Sequence, residues 1–179
     1  MTEFAGWHMP VWFESIIKEH LAVRNRVGIF DVTHMGRFII SGVDSTHLLQ
    51  YITVNNVEKL KVGRLHYSLI CNEEGGIKDD IMLLRLEEER FLLICNASNR
   101  EKIENWLISK SKDYKVSIEN VSDEVPMFAI QGPLAEETLQ KIVDVNLRKL
   151  KHWRLVKTRI LDVEALISRS GYTLSLIHI

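Results

Sequence analysis

The stretch CNEEGGIKDDIMLL, residues 71–84, sets the reading of the whole chain. A Gly75-Gly76 turn leads into a run of strand-forming residues that carries two consecutive acids, Asp79 and Asp80. Successive side chains on a strand face opposite sides of a sheet, so the two carboxylates point apart and at least one faces a layer that is otherwise apolar. Parity leaves open which one, because Ile77, Ile81 and Leu83 share the face of Asp79 while Met82, Leu84 and Leu86 share that of Asp80. A carboxylate in such a layer is costly unless it is hydrogen-bonded or protonated, and such groups concentrate where chemistry is done. The plainer alternative leaves one acid solvated and has the other cap a turn or pair with Lys78 or Arg85.

Outward from the acid pair, LHYSLIC (residues 65–71), IKDDIMLLRL (77–86) and FLLIC (91–95) are joined by the short turns NEEGG and EEER, which predicts an antiparallel meander. Tyr67 and Asn96 lie on the runs flanking the acids and can approach them across the meander. One carboxylate, one phenol and one amide suit a flat heterocycle with donors and acceptors on its edge. As plain structural residues, Tyr67 is an ordinary sheet aromatic and Asn96 a turn-starting residue.

The flanks add helices. ASNREKIENWLISK (97–110) reads as a helix capped by Ser98 or Asn99, with Ile103, Trp106 and Leu107 on its buried face. ESIIKEHLAVRNRVG (14–28) places Ile16, Ile17, His20, Leu21 and Arg24 near one helical stripe, with Gly28 as the stop. MGRFIIS (35–41) reads as a strand, Asp44 as the cap of a short helix, and KVSIEN and PMFAIQ as further strands. Pro133 is expected at the first position of a helix over PLAEETLQKIV. The opening MTEFAGWHMPVWF reads as an ordered non-helical lead-in, and residues 147–170 as polar-apolar strands. Strands joined by hairpins and interleaved with helices define an α+β fold: an antiparallel meander sheet with packed helices.

Composition narrows the function. The chain has 179 residues, 46% hydrophobic and 26% charged, ordinary for a soluble globular protein. A formal net charge of -1 provides no global attraction to nucleic acid or to an anionic membrane. Cys71 and Cys95 have no CxxC spacing and read as buried thiols of a reduced interior, and no histidine arrangement points to a metal. There is no long apolar span and no signal-peptide pattern, so a cytoplasmic setting is expected, or a mitochondrial one in a eukaryote. GxSxG, P-loop, HExxH and GxGxxG patterns are missing. The closing LSLIHI (174–179) breaks the pattern abruptly. It back-translates to CTGTCTCTTATACACATC, which resembles a transposase-library adaptor, so residues 174–179 are read as adaptor read-through and 1–173 as the domain.

Taken together and in order, FAGWHMP, VGIFDVTHMGR, CNEEGGIKDD, ICNASNREK, AIQGP and SRSGYT resemble the folate-dependent aminomethyltransferases, the T-proteins of the glycine cleavage system. The resemblance covers residues 4–173. It implies the first domain of a three-domain fold and part of the second. The activity it implies is transfer of a one-carbon unit from the aminomethyl-lipoyl arm of the H-protein to tetrahydrofolate, with release of ammonia and no metal. Carried over by motif, the catalytic carboxylate is Asp80, the second acid of GGIKDD, with Asp79 as its structural partner. Met35, Tyr67, Ile94, Asn96 and Tyr172 match positions that line the folate pocket. Leu84 stands where the family commonly has tyrosine. The family's GYTGE-type motif stops here at GYT, so the resemblance implies an incomplete folate cradle, exposed apolar surface and a chain inactive by itself. The same motifs leave two neighbouring readings: the folate domain of a dimethylglycine or sarcosine dehydrogenase, and a non-enzymatic folate-binding module of the iron-sulfur assembly type, against which the intact GGIKDD argues. A sheet that binds RNA through aromatics is disfavoured by the charge balance.

Overall fold

The computed structural model describes residues 1–172, and the chain divides into two compact units. One comprises Met1–Val32 together with the chain from Met127 onward, and the other Thr33–Pro126. LSLIHI lies outside the described residues.

In chain order the elements are β1 (Thr2–Phe4), β2 (Trp7–Met9), α1 (Ile16–Asn25), β3 (Gly28–Asp31), β4 (Gly36–Ser41), α2 (Ser45–Ile52), β5 (Arg64–Cys71), β6 (Ile77–Glu87), β7 (Arg90–Cys95), α3 (Arg100–Lys110), β8 (Ser117–Asn120), β9 (Phe128–Gln131), α4 (Ala135–Gln140), β10 (Leu155–Ile160) and β11 (Val163–Ser168). The α+β class and the meander read from the sequence are present.

The Thr33–Pro126 unit carries a five-stranded antiparallel sheet in the order β5-β6-β7-β4-β8. One face packs with α2 and α3 into a single apolar cluster, from Phe38, Ile40, Ile81, Leu83, Phe91 and Leu93 on the strands to Leu48, Leu49, Ile103 and Leu107 on the helices. Removing apolar surface of this size from water stabilises by roughly 1.5–3 kcal/mol per large side chain. The strand β6 is interior to the sheet, so its backbone is paired on both edges and the positions of Asp79 and Asp80 are fixed by two neighbours.

The lead-in is a β1-β2 hairpin: Phe4 pairs with Trp7 across Ala5-Gly6, both at positive φ, as a two-residue type I′ turn requires. The Ser15 hydroxyl caps α1 by accepting from Lys18 N–H, but the apolar stripe of this helix is uncovered within the described residues, with Ile16, Ile17 and Leu21 at least half exposed. Asp44 holds the cap position of α2 without capping it; its carboxylate accepts from Lys115 N–H at 2.8 Å. The helix after Gly132-Pro133 starts at Ala135, two residues later than expected, because Leu134 N–H donates to Arg26 O and holds the first residues in a turn. Of the two thiols, Cys95 is fully buried and Cys71 half-buried.

Candidate functional site

The site begins with an irregularity in β6. Ile70 of β5 opposes Asp79, but Cys71 opposes Ile77, so Lys78 is an extra residue in the ladder. Such a bulge moves the residues before it out of phase with those after it. Ile77 is accordingly 65% exposed and does not share the face of Asp79, contrary to simple alternation. Beyond the bulge alternation holds: Asp79, Ile81 and Leu83 are buried against the helices, and Asp80 is exposed on the opposite face. The turn ahead of the bulge is tied to α3. Lys78 Nζ and Lys110 Nζ lie 4.2 and 4.4 Å from the Trp106 ring centroid, and Lys110 also pairs with Glu73.

Asp79, at 4% exposure, is a charge in a nearly dry layer, and its neighbours satisfy it completely. The Asn96 backbone N–H donates to Oδ2 at 2.9 Å, while Asn96 Nδ2 and Asn99 Nδ2 donate to Oδ1 at 2.9 and 2.6 Å. Asn96 Nδ2 also donates to Asp80 Oδ1 at 2.9 Å. One amide therefore links the buried acid to the exposed one. Lys78 and Arg85, the alternative partners considered from sequence, are engaged at Trp106 and at Leu60 and Glu88, respectively.

Tyr67 approaches from β5. It opposes Met82, so Asp80 is its diagonal neighbour. Loss of solvation, and after it the adjacent Asp80 charge, hold the Tyr67 phenol above its usual range, which keeps it a neutral donor. On the same face Leu69, Met82 and Ile94 are half-buried and form an apolar floor around the polar group. Met35 immediately precedes the Gly36–Cys95 pair, which sets it beside Asn96 at the end of the sheet. Tyr172 belongs to the other unit, where its N–H donates to Gln131 Oε1. The structure thus brings Tyr67, Asp80, Ile94 and Asn96 together on the sheet, with Met35 in the chain that leads into β4 beside them.

Three residues of this arrangement were not picked out as site residues by sequence reasoning. Asn99 was expected only as a helix cap; it occupies the cap position but turns its amide to Asp79 instead, and the second asparagine of ICNASN is the signal for it. Arg37 is buried, and its guanidinium donates to the carbonyls of Thr33, Met35 and Ser122, fixing the loop that carries Met35. Gly36 passes so close to β7 that a Cβ there would lie 2.5 Å from Cys95 Sγ, so only glycine lets the strands meet beside the site. Burial, and then the Asp79 charge, push the Cys95 thiol up to about 12, leaving it a neutral packing group. Leu84 is buried at 2% exposure. Among the described residues no group of three or more His, Cys, Asp or Glu side chains converges as metal ligands do, and no helix is long and apolar enough to cross a membrane.

Fold and site together define a class: an α+β domain in which an interior strand turns one carboxylate outward between a phenol and an amide while burying its neighbour. The chain belongs to the GCVT N-terminal domain family, which matches residues 1–176. It is 44% identical to an aminomethyltransferase of Thermosipho melanesiensis over 97% of this chain and 48% of that protein, and 47% identical to one of Caldanaerobacter subterraneus over 97% and 46%. The solved glycine cleavage system aminomethyltransferase T of Bartonella henselae superposes with a TM-score of 0.84 at 30% identity, covering 96% of this chain and 46% of that one. A heterotetrameric sarcosine oxidase of Corynebacterium superposes at 0.64 with 16% identity, over 87% of this chain and 77% of that one, a likeness of fold alone. The chain spans about half the length of the curated relatives it matches.

Proposed function

We propose that this chain forms the tetrahydrofolate-facing part of an aminomethyltransferase of glycine cleavage, with Asp80 as its catalytic carboxylate. The observation that carries this reading is the outward placement of Asp80 between Tyr67 and Asn96, over an apolar floor, in a chain of this family. A flat, N–H-bearing ring fits that floor and rim: Leu69, Met82 and Ile94 contact its face, and the polar groups meet its edge. Met35 is assigned to the same ligand by its motif.

In the proposed reaction the methylene carbon of an aminomethyl-lipoyl group on the H-protein forms two bonds to nitrogens of tetrahydrofolate. Its bonds to sulfur and to the amino nitrogen break, and the two protons lost by the folate nitrogens leave on the thiol and on ammonia. Asp80 orients the attacking nitrogen and takes up its proton, and its negative charge favours the carbon as it becomes iminium-like. Asn96 holds the carboxylate in place through its hydrogen bond, and Tyr67 stands diagonally across from it on β5. Asp79 acts from beneath by fixing Asn96. Full turnover and docking of the lipoyl carrier are assigned to a polypeptide of the relatives' length, since the match covers 46–48% of them.

The test is titration of the chain with tetrahydrofolate, followed by NMR. Shifts confined to the Asp80 face of the sheet support the reading. Saturating ligand that leaves the Tyr67, Asp80 and Asn96 signals unmoved refutes it.

A further inference from the structure

Exposure falls along one row of the five-stranded sheet. Tyr67 opposes Met82, Met82 opposes Ile94 and Ile94 opposes Arg37, so the four side chains share a face, and it is the face of Asp80. Tyr67 is 49% exposed, Met82 and Ile94 are half-buried, and Arg37 is 2% exposed. The apolar floor is therefore open at the β5 edge and covered towards β4. A guanidinium taken out of water needs partners, and those of Arg37 are main-chain carbonyls. Its Nη1 donates to Met35 O at 2.8 Å, and its Nη2 to Thr33 O at 3.0 Å and to Ser122 O. The Arg37 backbone N–H also donates to Ser122 Oγ at 2.8 Å, across 85 positions of sequence. One residue further on, Arg100 grips both carboxylate oxygens of Asp123 at 2.9 and 2.6 Å. A single fork thus gathers the chain that leads into β4 and the chain that follows β8.

We propose that Arg37 is a positioning residue: it clamps residues 33–35 as a wall on the β4 side of the site, so that a ring lying on Leu69, Met82 and Ile94 abuts Met35 while its edge meets Asp80 and Asn96. This inference rests on the folate reading above and deepens it. Arg37 acts through Met35, since its own donors are turned to the carbonyls of residues 33, 35 and 122. A planar fork of five N–H donors reaches several carbonyls at once, which the point charge of a lysine does not. The bonds that join Asp80, Asn96 and Asp79 lie on β6 and at the end of β7 and do not include Arg37. Loss of the clamp therefore loosens the wall and leaves the carboxylate where it is. Carbonyls deprived of this donor turn to water, and a segment released in this way must be ordered again when the ring binds, which lowers affinity.

The experiment titrates the 179-residue chain, isotopically labelled, with tetrahydrofolate and follows the amide signals of the folded protein, so that a smaller folded population does not enter the dissociation constant. In the parent, the Met35 and Gly36 signals are expected to shift together with those of Asp80 and Asn96. Arg37→Met is expected to bind about tenfold more weakly, with the Met35 shift lost and the Asp80 and Asn96 shifts at saturation retained. Arg37→Lys, which keeps the cation and loses the fork, is expected to bind about threefold more weakly than the parent. Affinity equal to the parent's in Arg37→Met, or in Arg37→Lys where Arg37→Met does not fold, overturns the inference and leaves the folate reading standing. A parent titration that shifts Asp80 and Asn96 but leaves Met35 unmoved does the same. A parent chain that binds no tetrahydrofolate removes the folate reading and this inference with it.

Discussion

Asn96 holds Asp79 twice: its backbone N–H and its side-chain Nδ2 each donate to the buried carboxylate at 2.9 Å. The end of β7 is thereby fastened to the start of β6, and a charge that would otherwise be untenable at 4% exposure becomes part of the frame. Asp79→Ala strips the partner from three donors at once. The expected cost is about 3 kcal/mol of unfolding free energy, as a lower urea midpoint with an unchanged slope. An unchanged midpoint contradicts the supporting role.

Gly36 and Cys95 meet across the β4-β7 ladder with no room for a methyl group. Gly36→Ala is expected to destabilise by about 1–3 kcal/mol. Combining it with Cys95→Ala should recover part of that loss, since the atom that clashes is gone. A double-mutant cycle in denaturant measures the coupling, and strict additivity of the two changes contradicts the contact.

The Cys95 thiol gives a pH dependence of known sign. Its pKa is raised from 9.0 to about 12 by burial, so the folded state favours the neutral thiol. That contribution is fully present below the unfolded value and is lost as the pH rises from about 9 through about 12. Stability should therefore fall more steeply over that alkaline window in the parent chain than in Cys95→Ala. In the folded chain, Cys71 should react with an alkylating agent well before Cys95.

The meander was legible because LHYSLIC, IKDDIMLLRL and FLLIC are short apolar runs separated by turn residues, a local signal that tertiary contacts reinforce. Tyr67 and Asn96 followed from it, since neighbours of a central strand must approach its side chains. Which acid is buried was not legible from parity, because both faces of β6 carry apolar residues and only the packing of α2 and α3 on one of them decides. The extra residue at Lys78 takes Ile77 out of phase with Asp79, and the tie of Lys78 to Trp106 that accompanies it spans 28 positions in sequence. The expected caps Asp44 and Asn99 sit at helix starts as residue type suggests, but long-range partners claim their side chains: Lys115 N–H for one and Asp79 for the other. Residue type gave the position, and only the assembled fold gave the bond.

The division of labour between two adjacent acids is tested most directly by Asp80→Asn, assayed for tetrahydrofolate-dependent release of ammonia from an aminomethyl-lipoyl carrier. The assay uses the chain completed to the relatives' length with the C-terminal portion of the Thermosipho melanesiensis aminomethyltransferase. The expected result is a fall in turnover of about 100-fold or more with no change in melting temperature, since Asp80 is exposed and Asn can keep its place in the ladder. Turnover equal to that of the parent fusion contradicts the assignment and removes Asp80 from the chemistry.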